Sequence, residues 1–166
     1  MRFLKSFQYA FRGIVYCINN ERNMRVHTVA ALYVFAFSFF FHLSETDYAV
    51  LFLTFAAVIM GEMFNTVAER LCDLVAASFN PVVRIIKNAA SGGVLVGAAF
   101  SVCVAVSLFR QPEAFARMAL FFGSHPVGIA AFAAVSAAAV VYIVLGPPGI
   151  RDRLKRFQLE RKKRHG

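Results

Sequence analysis

Residues 47–73 read "DYAVLFLTFAAVIMGEMFNTVAERLCD", an apolar run that leads directly into a polar stretch. The apolar part has the length and composition of a helix embedded in hydrocarbon. At 100° per residue, Glu69 and Asp73 each fall within roughly 20° of Glu62 around such a helix, and Asn65 falls within roughly 60° of it. The pattern predicts a membrane-spanning helix that ends in one polar stripe.

The composition of the whole chain supports a membrane setting. Its 166 residues are 59% hydrophobic and carry a formal net charge of +9, with a mean hydropathy of +0.62. Soluble domains of this size rarely combine these properties. The final basic run, "RDRLKRFQLERKKRHG", is typical of a segment that attracts anionic lipid headgroups, and nucleic acid is not expected as a partner.

Four segments are apolar over roughly the 20 residues that a helix needs to cross a bilayer. The first 25 residues are charged and interrupted throughout, so a cleaved signal peptide is not expected. The sequence therefore predicts an all-α integral membrane protein with an N-terminal amphipathic surface helix and four transmembrane helices. The predicted spans run over residues 27–43, from 47 into the polar stretch, over 89–109 and over 127–145.

The basic residues predict the orientation of these spans. Lys and Arg precede the first span, lie between the second and third, and follow the fourth, whereas the first connector, "LSETD", has neither. Both termini should therefore be cytoplasmic. The connector "RQPEAFARMALFFGSHP" should lie on the outer surface, partly as a short interfacial helix that begins at Pro112 and ends near Gly123.

The N-terminal stretch has the pattern of a helix that lies along the membrane. Phe3, Phe7, Phe11, Ile14 and Ile18 recur at helical spacing, and most of the basic residues fall elsewhere around the helix. Such a helix would lie on the cytoplasmic face and bring the following glutamate under the spans. A plain surface anchor without a chemical role is the alternative.

The carboxylates of the polar stripe need a physical explanation. A carboxylate near the membrane interior is costly unless it is paired, faces water or binds a cation, and three on one face repel one another. A divalent cation would account for Glu69 and Asp73, although headgroup-layer pairing with Arg70 or Arg84 would also do so. Glu62 lies two turns deeper, where it is suited to take a proton from an alcohol while a cation holds phosphates.

Across the next loop, "RIIKNAASGGVL" places Lys87 before a run of small residues, 89–93. A lysine there can reach a phosphate, while small residues in membrane helices commonly serve close helix packing. The chain has no phosphate loop of the GxxxxGK[ST] type. A nucleotide would therefore be bound without a P-loop.

Three blocks of sequence carry a resemblance to a known family. "YAFRGI" with "ERNMRVH", then "GEMFNTVAERLCDLV", then "KNAASGGVL", are similar in letters and in spacing to the small prokaryotic membrane diacylglycerol kinases. They look most like the Gram-positive branch of undecaprenol kinases. The resemblance covers about residues 1–110, and its middle block is the most specific.

The resemblance implies an architecture and an activity. Members are homotrimers of three-span protomers, each preceded by a surface helix, with composite active sites at subunit boundaries. Each site would transfer the γ-phosphoryl group of ATP, held with Mg²⁺, to the hydroxyl group of a lipid alcohol, with undecaprenol favoured over diacylglycerol. The expected location is the bacterial cytoplasmic membrane, with the active site on the cytoplasmic side.

The resemblance also implies residue roles. Glu62 matches the general base, and Asn65 its neighbour in the NTA-type motif. Glu21 and Glu69 match the two glutamates that bind the metal with the nucleotide phosphates. The positions expected near the lipid substrate are Asn23, Arg25 and His27. The other positions expected at the nucleotide site are Arg2, Tyr9, Asp73, Asn80, Lys87 and Asn88.

The chain departs from the family pattern at two places that are expected to contact the nucleotide. The family's lysine is normally followed by aspartate, where this chain has Asn88, which has no charge to pair with a cation. A Glu-Tyr-His-Pro-like stretch is replaced by Ser78, Phe79, Asn80 and Pro81. The alternative function is therefore a catalytically weakened or non-enzymatic trimeric relative that binds lipid or acts as a scaffold.

The resemblance and the spans together divide the chain. Residues 1–26 form the amphipathic helix, 27–110 a three-span core similar to lipid kinases, 111–150 the outer connector and fourth span, and 151–166 a basic cytoplasmic tail. A small cation or proton transporter is a third hypothesis. It predicts charged residues deep in more than one span, and the other three spans have none.

Overall fold

The computed structural model describes residues 2–75 and 80–165, and side chains within 3–75 and 80–159. These residues form helices and the turns between them, with no strand, which confirms the all-α class. The helices are α1 (Arg2–Asn20), α2 (Arg22–Ser38), α3 (Glu45–Val75), α4 (Pro81–Leu108), α5 (Pro112–Ser124) and α6 (Pro126–His165).

Among the described residues, three helices are long and apolar enough to cross a membrane, and they lie in α3, α4 and α6. These correspond to the second, third and fourth predicted spans. The first predicted span falls largely in α2, which has 17 residues, fewer than the roughly 20 that span a bilayer. That α2 crosses the membrane, and that both termini are cytoplasmic, remain predictions.

The predicted end of the first span was wrong. The helix ends at Ser38 rather than Leu43, because the chain turns there: the N–H groups of Phe40 and Phe41 donate to the carbonyl groups of Phe37 and Ser38, each over 3.0 Å. Bonds of this three-residue spacing tighten the chain at helix ends. Hydropathy continues through "FFFH", so the apolar run is longer than the helix.

The N-terminal helix is strongly amphipathic, as predicted, but it stops before residue 26. α1 ends at Asn20 and α2 begins at Arg22, with Glu21 at the break between them. The N–H of Glu21 donates to the carbonyl of Cys17 over 2.8 Å, which completes the last turn of α1. The single predicted segment 1–26 is therefore two helices with a break at a candidate metal ligand.

α3 and α4 pack along each other within one compact unit, residues 30–124. The α4 helix begins at Pro81, eight residues before the predicted start at Ala89, because Asn80 caps it. The Asn80 Oδ1 atom accepts a hydrogen bond from the N–H of Val82 over 2.9 Å, and proline suits the first helical position. Lys87 consequently lies inside α4 rather than before it.

Aromatic and polar contacts join the α2–α3 turn to the α4–α5 turn. The ring of Phe41 lies 4.8 Å from that of Phe109 between centroids. His42 and Gln111 exchange two hydrogen bonds between main chain and side chain, of 3.1 and 3.2 Å. The polar stretch of α3 therefore lies toward the opposite end of this unit. The adjoining α5 helix confirms the short helix predicted to begin at Pro112.

A second compact unit combines the residues up to Val29 with those from His125 onward. Its α6 helix is apolar from Pro126 and kinks at Gly146, which has φ 65° and ψ 169°. Pro147 and Pro148 follow, and neither has an N–H to continue the helical bonding pattern. The kink lies next to Leu145, the predicted end of the fourth span, and a second helical segment then runs through the basic tail. That the span itself ends there remains a prediction.

Candidate functional site

Glu62 is enclosed by protein in the middle of the polar stretch. Its exposed fraction is 1%, and Thr66, one turn further along α3, is 2% exposed. The Thr66 Oγ1 atom donates to the carbonyl of Glu62 over 2.9 Å. A Cβ atom added at Gly61 would lie 3.8 Å from Cγ2 of Val94, so α4 passes close by. The structure thus removes this carboxyl group from solvent.

One turn from Glu62, three polar side chains form a short hydrogen-bonded chain between α3 and α4. The Asn65 Nδ2 atom donates to Oε1 of Glu69 over 3.1 Å, and the Ser91 Oγ atom donates to Oδ1 of Asn65 over 3.3 Å. Asn65 is 7% exposed, whereas Glu69 is half-buried. Because both ends of the Asn65 amide are engaged, its orientation and that of the Glu69 carboxylate are fixed together.

The next polar contact lies at the exposed end of the same two helices. The Lys87 Nζ atom lies 2.6 Å from Oδ1 of Asp73, and the two side chains are 38% and 53% exposed. Hydrogen bonds between a lysine and a carboxylate are strengthened by both charges. Two of the positions predicted to serve the nucleotide therefore meet, although they come from different helices.

These contacts bring five predicted site residues into one row along the α3–α4 pair: Glu62, Asn65, Glu69, Asp73 and Lys87. The row runs from a solvent-excluded carboxyl, through a half-buried carboxylate, to an exposed ion pair. Ser91 belongs to this row and was missed as a site residue. Its signal was the spacing, since it follows Lys87 by one helical turn and therefore lies on the same face of α4.

Two further predicted site residues belong to the same compact unit but not to this row. Asn80 serves as the α4 cap, and Asn88 is exposed on α4. In the other compact unit, Tyr9 and Asn23 are exposed, while Glu21 and His27 are half-buried. The side chain of Arg2, and residues Ser78 and Phe79, lie outside the described part of the structure.

Arg25, predicted near the lipid substrate, has a different environment from its neighbours. It is 6% exposed, and its guanidinium group donates to the carbonyl groups of Ile18, Asn19 and Ile143. These bonds occupy both its Nε and its Nη1 atoms. The side chain is thus engaged inside the protein.

The donor chemistry of the row suits a hard divalent cation. Carboxylate oxygens are among the ligands that Mg²⁺ prefers, and Glu69 supplies a carboxylate whose orientation is fixed by its hydrogen bond from Asn65. Among the side chains of residues 3–75 and 80–159, no three His, Cys, Asp or Glu groups gather as a complete metal site. Mg²⁺ commonly keeps several waters and binds through one or two carboxylates together with substrate phosphates.

An apolar all-helical chain with an acidic row between two long helices belongs to the membrane proteins that carry a polar site in or near the bilayer. Residues 8–109 match the sequence model of prokaryotic diacylglycerol kinase. The chain therefore belongs to the prokaryotic diacylglycerol kinase family, which confirms the resemblance carried by the three sequence blocks. The match ends before α5, so α5 and α6 lie outside it.

Two relatives illustrate the family. The chain is 36% identical over 110 residues to a diacylglycerol kinase of Synechocystis, across 66% of this chain and 63% of that protein. It is 34% identical over 108 residues to an undecaprenol kinase of Bacillus subtilis, across 65% of this chain and 88% of that protein. No solved structure matches the chain. Both relatives are, by name, lipid kinases.

Proposed function

We propose that this protein is a lipid alcohol kinase that transfers the γ-phosphoryl group of ATP, with Mg²⁺, to the hydroxyl group of undecaprenol. The observation that carries the proposal is Glu62, a carboxyl group that is 1% exposed and lies one turn from the Asn65–Glu69 pair. A buried carboxyl beside a half-buried carboxylate suits a base next to a phosphate site.

The reaction assigns one role to each part of the row. Glu62 takes the hydroxyl proton of the lipid as the lipid oxygen forms its bond to the γ-phosphorus. The bond between that phosphorus and the β–γ bridging oxygen breaks, and ADP leaves with the electron pair. Because Glu62 is shielded from solvent, transfer to the lipid is favoured over hydrolysis of ATP.

In this proposal Glu69 and Glu21 hold Mg²⁺ against the nucleotide phosphates. Bound Mg²⁺ supplies neutralisation of the phosphate charge. Asn65 fixes the Glu69 carboxylate, and Ser91 fixes Asn65, so the ligand is oriented before the nucleotide arrives. Lys87 then stabilises charge that develops on the transferred phosphoryl group.

The choice of lipid and assembly is part of the proposal. Undecaprenol is favoured because the Bacillus relative named for it is matched over 88% of its length. We further propose a homotrimer in the bacterial cytoplasmic membrane, with composite sites on the cytoplasmic side. Large apolar side chains stay exposed along α3 and α4, including Leu53, Phe64, Leu95 and Phe100, as helices that contact lipid or a second copy require.

The direct test is phosphoryl transfer from radiolabelled ATP in mixed micelles that contain undecaprenol or diacylglycerol, with Mg²⁺. We expect label in undecaprenol above the level of a Glu62→Gln protein, which serves as the blank. Label in diacylglycerol alone would overturn the lipid preference. No label in either lipid, from folded protein also supplied with GTP, would reject the kinase and favour a lipid-binding or scaffold role.

The Lys87–Asp73 pair yields a prediction that separates nucleotide binding from helix packing. Lys87→Met should raise the KM for ATP about tenfold, the size expected when one charge-assisted contact to a phosphate is lost. The thermal midpoint should change little, because a solvent-exposed ion pair contributes about 0–1 kcal/mol. Titration of ATP in the transfer assay and a thermal unfolding curve supply the two measurements.

Arg84→Met provides the matched control, since Arg84 is an exposed cation one turn before Lys87 on α4. It should leave the KM for ATP unchanged. If Lys87→Met and Asp73→Asn lower the thermal midpoint together and leave the KM unchanged, the pair only joins two helices. The nucleotide role of Lys87 would then be wrong.

A further inference from the structure

A buried cation joins three main-chain carbonyl groups in the unit formed by the N-terminal residues and α6. The Nη1 atom of Arg25 donates to Ile18 O over 2.9 Å and to Asn19 O over 3.3 Å. Its Nε atom donates to Ile143 O over 3.1 Å. We call this arrangement, the Arg25 guanidinium with the carbonyls of Ile18, Asn19 and Ile143, the Arg25 clasp.

In the clasp, Arg25 caps the C-terminal ends of two helices by hydrogen bonding to their last carbonyl groups. Ile18 and Asn19 lie in the last turn of α1, and Ile143 lies in the last turn of α6 before its kink. Carbonyl groups in a last turn have no partner further along their own helix. A cation there is also stabilised by the negative end of each helix dipole. One guanidinium therefore fastens α1 to the kinked part of α6.

Gly146 makes this approach possible. Its φ of 65° lies in the left-handed region that favours glycine. A Cβ atom added at Gly146 would lie 3.0 Å from Nη1 and 3.1 Å from Cζ of Arg25. The kink therefore needs glycine for its backbone conformation, and the clasp needs it for space.

The clasp also spans the break that carries Glu21. Asn19 precedes the break, Arg25 follows it by one turn of α2, and the N–H of Glu21 donates to the carbonyl of Cys17. Because Arg25 bonds back to the end of α1, it fixes the angle between α1 and the first turns of α2. The position of the Glu21 carboxyl group depends on that angle.

We propose that Arg25 is a positioning residue that couples the kink at Gly146 to Glu21, and through Glu21 to the binding of a divalent cation. The inference rests on the proposed function for the role of Glu21. The match to the kinase family ends at residue 109. A helix outside the family match thus helps to set a ligand position inside it.

The test uses the full chain with Gly146→Ala, which places a methyl group against the guanidinium in a strained conformation. The first readout is the labelling rate of Cys17 by N-ethylmaleimide, mapped by mass spectrometry, since Cys17 is buried at the α1 end of the clasp. The second is binding of Mn²⁺, measured by electron paramagnetic resonance with a non-hydrolysable ATP analogue. We expect each to change about tenfold, toward faster labelling and weaker binding.

Gly128→Ala is the matched control, because it makes the same change in α6 and its nearest atom, Cβ of His125, lies 3.5 Å away. It should leave both readouts at the wild-type value. Arg25→Lys keeps the charge but loses the planar fork of donors, so it should shift both readouts in the same direction. In the double variant the effects should be less than additive, since both changes break one contact.

The outcomes separate this inference from the kinase proposal. Faster Cys17 labelling with unchanged Mn²⁺ binding would overturn the positioning role, and no change in either readout would overturn the clasp itself. A wild-type protein that binds no Mn²⁺ would also overturn the positioning role of Arg25. If the wild-type protein transfers no phosphoryl group but its Mn²⁺ binding still weakens in Gly146→Ala, the kinase function is rejected and the positioning role of Arg25 is retained. If Gly146→Ala does not fold, Arg25→Lys decides by the same two measurements.

Discussion

Glu62→Gln is expected to abolish phosphoryl transfer while nucleotide binding stays at the wild-type level. Glutamine has nearly the volume of glutamate and keeps an acceptor oxygen, but it cannot take up the hydroxyl proton of the lipid. A positioned base contributes about 10²–10⁴-fold to a reaction rate, so residual transfer should be lower by that factor. Turnover with radiolabelled ATP and equilibrium binding of an ATP analogue measure the two quantities.

Burial of Glu62 adds a second expectation for the same variant. A neutral amide costs less to bury than an ionised carboxylate. The thermal midpoint of Glu62→Gln should therefore equal or exceed that of the wild-type protein. The thermal midpoint would then stay the same or rise while turnover falls, which is the trade-off expected for a residue that is needed for catalysis rather than for stability.

Thr66→Val is the control for disturbance of this part of α3. Thr66 is as buried as Glu62 and bonds to its carbonyl over 2.9 Å, yet the proposal gives it no proton to move. Its loss should lower turnover far less than Glu62→Gln does. Loss of nucleotide binding in Glu62→Gln, or turnover at the wild-type rate, would show that the base has been assigned to the wrong residue.

Glu69→Ala is expected to raise the Mg²⁺ concentration that gives half-maximal transfer by more than about tenfold. Groups that merely hold a metal ligand in place change metal affinity by about 10–100-fold when they are lost, and removal of a ligand should cost at least as much. Asn65→Ala, which releases the Glu69 carboxylate without removing it, should give a smaller change in the same direction. Transfer rates across a Mg²⁺ titration, at fixed ATP, measure both.

Glu45→Ala supplies the comparison on the same helix, since Glu45 is exposed at the first turn of α3. It should leave the Mg²⁺ requirement unchanged. A Glu69→Ala protein with the wild-type Mg²⁺ requirement would rule out the metal role of Glu69. The Asn65–Glu69 hydrogen bond would then be a contact that only stabilises α3.

Much of the fold follows from residue patterns within single helices. The apolar run before Glu62 and the polar stripe after it predicted α3, and Pro112 predicted the start of α5. The ends of the helices were predicted less accurately. Hydropathy measures how readily a residue leaves water, whereas a helix ends where the backbone hydrogen bonding stops. The "FFFH" stretch continued a predicted span past Ser38. The cap at Asn80 began α4 eight residues ahead of the prediction.

In the candidate site, too, the features within one helix were predicted from the sequence and the contacts between helices were not. The periodicity of α3 placed Glu62, Asn65, Glu69 and Asp73 on one stripe, and the depth of Glu62 in the apolar run predicted its burial. Only the tertiary structure revealed the part of Ser91, because its hydroxyl group matters through its contact with Asn65 on a different helix. The spacing of Ser91 from Lys87 places it on the same face of α4, but that spacing does not say whether the hydroxyl group bonds to another helix.

The sequence by itself determined the helical class, the long apolar helices and the acidic stripe, since each depends on residue spacing within one helix. The tertiary structure alone decided which helix faces meet. It joined Asp73 to Lys87 across the α3–α4 pair, and it joined Arg25 to Ile143, which is 118 residues away. Periodicity fixes the direction of a side chain around its own axis, but a contact between helices also requires their relative rotation and height, which one sequence does not encode locally.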